Sequence, residues 1–222
     1  MKIIKPKVEV ILCPVTGNDA LKIIEGIGRT CYKSEELMTN DSAEKFVRRI
    51  IDSGHHSVIE HLNYTAHITC DRGVSHEIVR HRIASYSQES TRYCNYSKGK
   101  FDGEITCIDI TEGIELCPKT GKLSEQVKGD IIAVWWLAME AAEASYMKMI
   151  ELGASPQIAR SVLPNSLKTE IIVTMNLREW RHFFKLRSAK AAHPQMREVV
   201  IPLLKWFKKL IPVIFDDIEV EK

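Results

Sequence analysis

With 222 residues, 45% of them hydrophobic and 27% charged, the chain is long enough to bury a core without disulfide or metal staples. This mix excludes a disordered chain, a collagen-like fibre and a small disulfide scaffold, and no apolar run approaches the ~18 residues of a membrane span. The formal net charge of +2, from 31 basic and 29 acidic side chains, argues against a broad nucleic-acid surface but leaves room for local basic pockets.

The start, Met1 to Lys7, is basic and has no apolar stretch. No secretion signal is visible there, and a cytoplasmic protein is expected. Residues 7–12 read as a strand. Asn18 is a candidate cap for a helix over 19–28. Asp41 and Glu44 have capping-box spacing ahead of Phe46, Val47, Ile50 and Ile51, and Gly54 stands where that helix should stop. Residues 62–70 alternate, with Leu62, Tyr64, Ala66, Ile68 and Cys70 on one face, as in a half-buried strand.

Residues 73–82 suggest a short helix, and the polar stretch 84–103 a loop. A strand is expected over 104–110. Gly113, Pro118 and Gly121 mark 111–122 as an excursion or hairpin. Ser124 to Leu152 has the longest helical pattern, ended by Gly153. Ser155-Pro156 then opens another helix. Residues 169–175 form a strand, 177–187 a helix, and 194–215 a last helical region with Pro202 and Pro212 as expected kinks or breaks. Without a regular βαβα rhythm, the fold class is α+β: a mixed or antiparallel sheet with flanking helices, one domain over 1–222, and a variable excursion at about 98–122. Gly26-x-Gly28 lacks both the third glycine and the preceding strand of a dinucleotide loop, so a Rossmann fold is not expected. The six cysteines contain no Cys-x-x-Cys pair and read as reduced, mostly buried thiols.

Three polar segments carry chemistry. Arg80-His81-Arg82, followed by Ser85, Ser87, Gln88, Glu89, Ser90, Thr91, Arg92 and Tyr93, puts guanidinium forks beside hydroxyl and backbone donors. That combination suits a phosphate, and a solvated basic helix end followed by a polar loop reads equally well from spacing alone. On a helix, Arg80 and Arg82 would point about 200° apart and serve different partners. Arg178, Arg181, His182 and Lys185 share a face at helical spacing, opposite Leu177, Trp180, Phe184 and Leu186. On pattern alone, an amphipathic surface helix is the better reading. His55, His56, Ser57, Glu60 and His61 form the third cluster, which completes no recognisable zinc motif.

Together these segments resemble the flavin-dependent thymidylate synthases. Arg80-His81-Arg82 with Ser90 and Arg92 is similar to that family's signature. His55-x-Ser57-x-x-Glu60-His61 resembles its His-x-(Ser/Thr)-x-x-Glu-His segment. Ala159-Arg160-Ser-Val-Leu-Pro164 and Asn176-Leu-Arg178 through Leu186-Arg187 resemble two further segments, in the same order along the chain. The resemblance implies conversion of dUMP to dTMP with methylene-tetrahydrofolate as carbon donor, NADPH as reductant and FAD as hydride carrier. It implies flavin contacts from Ser57, Glu60, Arg80, His81, Arg82, Asn176, Arg178 and His182. For the nucleotide it implies Glu77, Arg80, Gln88, Glu89, Ser90, Thr91, Arg92, Arg160 and Arg187.

Arg187 is the candidate catalytic residue, a cation near the uracil carbonyls as hydride arrives at C6. Ser90 is assigned to phosphate rather than to attack on the ring, since it has no evident base. No cysteine nucleophile and no metal are expected, and Cys117-Pro118 reverses the Pro-Cys order of the classical cysteine-dependent synthases. Two positions depart from the family pattern: Glu77 stands where Gln is also seen, and Gln88 where Glu is common. Cys31 replaces a small hydroxyl residue. A homotetramer with sites shared between subunits is implied, with neither nucleic acid nor membrane as partner.

Overall fold

The computed structural model describes residues 1–220. β1 (Lys2–Ile4) precedes β2 (Lys7–Leu12), α1 (Gly17–Thr30), α2 (Ser42–Asp52) and a 3-10 turn at His56–His61. β3 (Asn63–Asp71), α3 (Arg72–Ile78), β4 (Ala84–Gln88), β5 (Thr106–Ile108), α4 (Thr111–Leu116) and α5 (Glu125–Glu151) follow. The chain ends through α6 (Pro156–Ala159), β6 (Lys168–Asn176), α7 (Leu177–Arg187), α8 (Pro194–Leu210) and α9 (Pro212–Phe215). β2, β3, β6 and β4 make an antiparallel sheet in that order, while β1 and β5 pair in parallel beside it. This is the expected α+β class.

The alternation read in β3 sets the layers. Tyr64, Ala66, Ile68 and Cys70 are all fully buried, and they stand opposite Met175, Val173, Ile171 and Thr169 of β6. That face packs against α1, α2, α7, α8 and α9. The reverse face carries Thr65 and Thr174, whose hydroxyls meet at 2.9 Å, together with His67 and Glu170. An aromatic cluster fixes α7. Trp180 stacks on Phe184 at 5.5 Å and donates its indole N–H to the Tyr64 carbonyl at 3.1 Å. Phe207 of α8 closes on both rings at 5.1 Å. These contacts hold the polar side of α7 in a fixed place. Phe183 joins the core, whereas Leu186, expected on the apolar face, is half exposed.

Several local expectations change. Residues 84–88 are a strand rather than loop, because the β6 edge supplies hydrogen-bond partners that a polar sequence does not advertise. The excursion holds α4 and a 3-10 turn instead of a hairpin. Thr16, not Asn18, occupies the N-cap of α1. Asp41 stands at the N-cap of α2 without capping it; the neighbouring Ser42 hydroxyl donates instead to Glu25 at 2.8 Å. Pro202 stays inside α8, and the break falls at Pro212, which opens α9.

The Gly26-x-Gly28 pair is explained by packing. A Cβ on Gly28 would lie 2.6 Å from Phe46 Cε1 and 3.2 Å from Val58 Cγ1. The bare backbone therefore lets α1 close on α2. Gly28→Val is expected to destabilise the fold by about 1–3 kcal/mol through overpacking. The check is a lower urea midpoint at an unchanged m-value; an unchanged midpoint would contradict the packing role.

Candidate active site

Asp71 accepts from the Val74 N–H at 2.7 Å and so starts α3. α3 ends at Ile78, so Arg80, His81 and Arg82 lie in the turn that leads to β4, not on a helix as their spacing suggested. The Tyr86 hydroxyl pins this turn, sitting 2.5 Å from the His81 carbonyl and 3.0 Å from that of Ile78. His81 is pulled inward while Arg80 and Arg82 remain exposed. Neither guanidinium has an ion pair or hydrogen bond among the described residues.

Below them, α3 and α7 meet through a relay of side chains. Glu179 Oε1 lies 2.9 Å from His81 Nδ1, and Arg187 Nε donates to His81 Nε2 at 3.2 Å. The rest of the Arg187 guanidinium is directed at Glu77, with Nη1 to Oε2 at 2.7 Å and Nη2 to the carbonyl at 3.0 Å. His193 Nδ1 stands 3.2 Å from the other Glu77 oxygen. Arg187 and Glu77, both expected around the nucleotide, are thus joined to each other. Burial holds the His81 imidazole below its ordinary pKa; Glu179 pulls it upward and Arg187 adds to the lowering.

A cavity of about 550 Å³ opens beside this relay. His56, Glu60, Ile83, Asn176, Arg178 and His182 are among its walls. A second, of about 380 Å³, is lined by Cys31, His55, Ser57 and again Arg178. Arg178 ion-pairs with Glu60, and Asn176 caps α7 by accepting from the Glu179 N–H at 2.9 Å. Of the eight residues expected around a flavin, Glu60, Asn176, Arg178 and His182 line the first cavity and Ser57 the second, Arg80 and Arg82 lie on the turn before Ile83, and His81 belongs to the relay. The donor set fits a dinucleotide cofactor: exposed guanidinium groups for a pyrophosphate and an apolar side chain, Ile83, for a ring system. Arg181, expected on the cationic face, is 3% exposed. It lines the first cavity with Arg178, His182 and Lys185, and it also anchors the segment after α9 through a bidentate pair with Asp217 at 2.7 Å and a bond to the Ile214 carbonyl.

The nucleotide set divides. Ser90 Oγ accepts from the Arg92 N–H at 3.3 Å, Arg160 donates to Thr91 at 3.3 Å, and Arg92 reaches Gln157 at 3.0 Å. Ser90, Thr91, Arg92 and Arg160 thus form one basic corner. Glu89 turns away from it, to Lys168 at 2.9 Å and Tyr96 at 3.3 Å. Gln88 donates to Ser75 at 2.9 Å and Thr169 at 3.1 Å, a pair of hydroxyls that an amide can bridge without a charge.

Sequence reasoning missed Glu179, His193 and Lys168. Only the acid inside the cationic repeat of α7 hinted at the first. Among the described residues, His81, Glu179 and His182 bring metal-ligand atoms within 4.8 Å of one another. Both His81 nitrogens are engaged, one of them by a guanidinium, so this trio reads as a hydrogen-bond relay. The His55–His61 cluster does not converge, since His56 points to the Ile51 carbonyl and Glu60 to Arg178. Burial raises the pKa of Cys13, Cys70, Cys94 and Cys107, the last to about 12. Cys117 is lowered by its bonds to Thr120. Among the described residues, no helix is long and apolar enough to cross a membrane.

A family model described as thymidylate synthase complementing protein matches residues 13–213. The chain belongs to this family. It is 35% identical over 196 residues to the flavin-dependent thymidylate synthase of Geobacter sulfurreducens, covering 85% of this chain and 78% of that protein. It is 38% identical over 186 residues to the flavin-dependent thymidylate synthase of Pyrococcus horikoshii, covering 81% and 70%. Among solved structures, the UMP/dUMP methylase PolB from Streptomyces cacaoi, bound with 5-Br dUMP, superposes with a TM-score of 0.78 over 97% of this chain and 96% of that one. At 24% identity that likeness bears on the fold.

Proposed function

We propose that this family member reductively methylates dUMP to dTMP, with methylene-tetrahydrofolate as carbon donor, NADPH as reductant, FAD as the bound cofactor and no cysteine nucleophile. When bound, FAD supplies the hydride chemistry that no side chain can perform. Arg80, Arg82, Arg178, His182, Ser57, Glu60 and Asn176 are the residues that would hold it. The observation that carries this reading is the turn with two exposed, unpaired guanidinium groups, which leads through Ile83 into the cavity walled by Arg178 and His182 and through His81 to the Arg187–Glu77 pair.

The chain's own groups divide the work. Ser90, Thr91, Arg92 and Arg160 bind the nucleotide phosphate, whose dianion suits two guanidinium groups and two hydroxyls. Gln88 and Glu77 complete the nucleotide site. Three of the five N–H donors of Arg187 are engaged; the other two are free to meet a uracil carbonyl, where negative charge grows as C6 accepts hydride. Ser90 Oγ accepts from a backbone N–H and has no base beside it, which favours binding over nucleophilic attack. Glu89, committed to Lys168 and Tyr96, shapes this loop from behind. The four thiols raised by burial are poor nucleophiles at neutral pH. Cys117 sits at the end of α4 with Thr120 as its bonded partner.

A homotetramer with shared sites accounts for the exposure of α5, whose apolar side chains have little to cover them within one subunit. The deciding experiment is the visible absorbance of the purified protein. Flavin bands that bleach with NADPH, and dTMP formation that persists when each cysteine in turn is replaced by alanine, are the expected results. A colourless protein that FAD cannot reconstitute would sink the reading.

A further inference from the structure

The relay beneath Arg187 fixes a proton. A guanidinium only donates hydrogen bonds. Arg187 Nε approaches His81 Nε2 at 3.2 Å, so that nitrogen must present its lone pair. The neutral ring then carries its hydrogen on Nδ1, which faces Glu179 Oε1 at 2.9 Å. Glu179 accepts there through Oε1, and its side chain is 10% exposed. We propose that Glu179 is a positioning residue: it locks His81 in the Nδ1–H tautomer, and His81 Nε2 in turn sets the orientation of the Arg187 guanidinium.

Three further features favour this. Tyr86 and the packing of Phe183 on the His81 ring, at a centroid distance of 5.0 Å, leave the imidazole one place to sit. Asn176 caps α7 through the Glu179 N–H, which fixes the backbone that carries the carboxylate. Glu77 holds the opposite edge of Arg187. The guanidinium is therefore gripped from α3 and from the turn that follows it, and only the His81 grip depends on where a proton lies. Among the described residues, His182, with ring centroids 5.4 Å apart, and the Tyr86 hydroxyl are further titratable neighbours of His81. Burial, which disfavours the imidazolium, keeps the ring in the neutral form that the relay needs.

This inference rests on the proposed function for its kinetic arm alone. The test combines nitrogen NMR of 15N-histidine-labelled protein, with the His81 signals assigned by their loss in His81→Gln, and steady-state kinetics of two variants. In the wild type at neutral pH, His81 is expected to show Nδ1 protonated and Nε2 unprotonated. Glu179→Ala should redistribute the tautomer and lower kcat about tenfold or more, the consequence of a misplaced imidazole proton. Glu179→Gln, whose amide oxygen still accepts from Nδ1–H, should keep the tautomer and stay within about threefold of wild-type kcat.

A wild-type His81 protonated on Nε2, or on both nitrogens, overturns the proposal without any variant. So does a kcat loss in Glu179→Ala with the tautomer unchanged, or a changed tautomer with kcat intact. Should Glu179→Ala fail to fold, the wild-type spectrum and the Gln variant still decide. The NMR arm needs neither flavin nor nucleotide, so a protein without flavin bands or dUMP turnover counts against the proposed function and leaves the tautomer result standing.

Discussion

Arg187→Ala is expected to lower kcat for dTMP formation by about 10²–10³, the usual cost of removing one preorganised donor from a developing oxyanion. The argument begins with position. Arg187 closes the last turn of α7, a helix fixed by the Trp180, Phe184 and Phe207 cluster. Its guanidinium is 16% exposed and held on three sides by His81 and Glu77. A donor so restrained needs no reorganisation when charge builds on the substrate. Arg187→Lys should recover little, because an ammonium cannot engage His81, both Glu77 acceptors and a carbonyl in one plane. Flavin absorbance should survive in both variants, since the cavity wall with Arg178 and His182 is untouched. The Ala variant leaves Glu77 without its cation, but that carboxylate is about one-third exposed and water can take over. Folding should therefore be only mildly affected, by about 1 kcal/mol. Wild-type turnover by Arg187→Ala, with the fold intact by circular dichroism, would remove Arg187 from the chemistry.

How much of this was legible beforehand depended on whether a signal was local. The alternation of Tyr64, Ala66, Ile68 and Cys70 is a property of one segment, and it survived intact as β3. The apolar stripe of α7 is equally local, apart from Leu186, which faces outward, and Phe183, which replaces it. β4 was hidden because Ala84 to Gln88 has no hydrophobic period of its own. Its strand character comes from pairing to β6, some 85 residues away, where Ala84 meets Met175 and Gln88 meets Ile171. The helix-capping pattern of Asp41 and Glu44 failed for a similar reason: the adjacent hydroxyl of Ser42 had a remote partner in Glu25.

The candidate site follows the same rule. Ser90, Thr91, Arg92 and Arg160 were grouped through a family likeness, and the structure brings them to one corner. Glu179 belongs to that site's support, yet from the sequence it is one acid in a charged helix. Its meaning lies in His81, 98 positions earlier in the chain. The same holds for Arg181, which has the spacing of a cavity cation until Asp217 is seen to take it. Charge patterns reveal which groups exist on a face, while their assignment to ligand or to scaffold requires the partner's location.

A double charge insertion on α5, Val134→Glu with Leu137→Glu, is the second variant expected to have a large effect. It should break the assembly and abolish activity with the subunit fold intact. α5 is 27 residues long and, at about 1.5 Å per residue, spans about 40 Å. Within one subunit only Lys128, Met139 and Tyr146 of it are buried. Val134 is 69% exposed, Leu137 66% and Trp136 40%, so the apolar face that carries them has no cover within one subunit, while Met139 and Tyr146 on the other side pack into a core of their own. A helix that is hydrophobic all round belongs in an interior, and in a homo-oligomer that interior is an interface with copies of the same chain. Burying Val134 and Leu137 there contributes about 1.5–3 kcal/mol each. Carboxylates in their place remove that contribution and add desolvation, so the loss exceeds about 4 kcal/mol and weakens association by about 10³ or more. Light scattering on a size-exclusion column should show the wild type as a tetramer and the double variant as a smaller species. Its helicity and thermal midpoint should stay near wild type, since neither side chain contributes to the buried core of its own subunit. Activity and flavin content should fall together if the exposed Arg80 and Arg82 face a cofactor that a neighbouring subunit helps to enclose. A wild-type monomer with full turnover, or a double variant that stays assembled and active, would separate α5 from both assembly and catalysis.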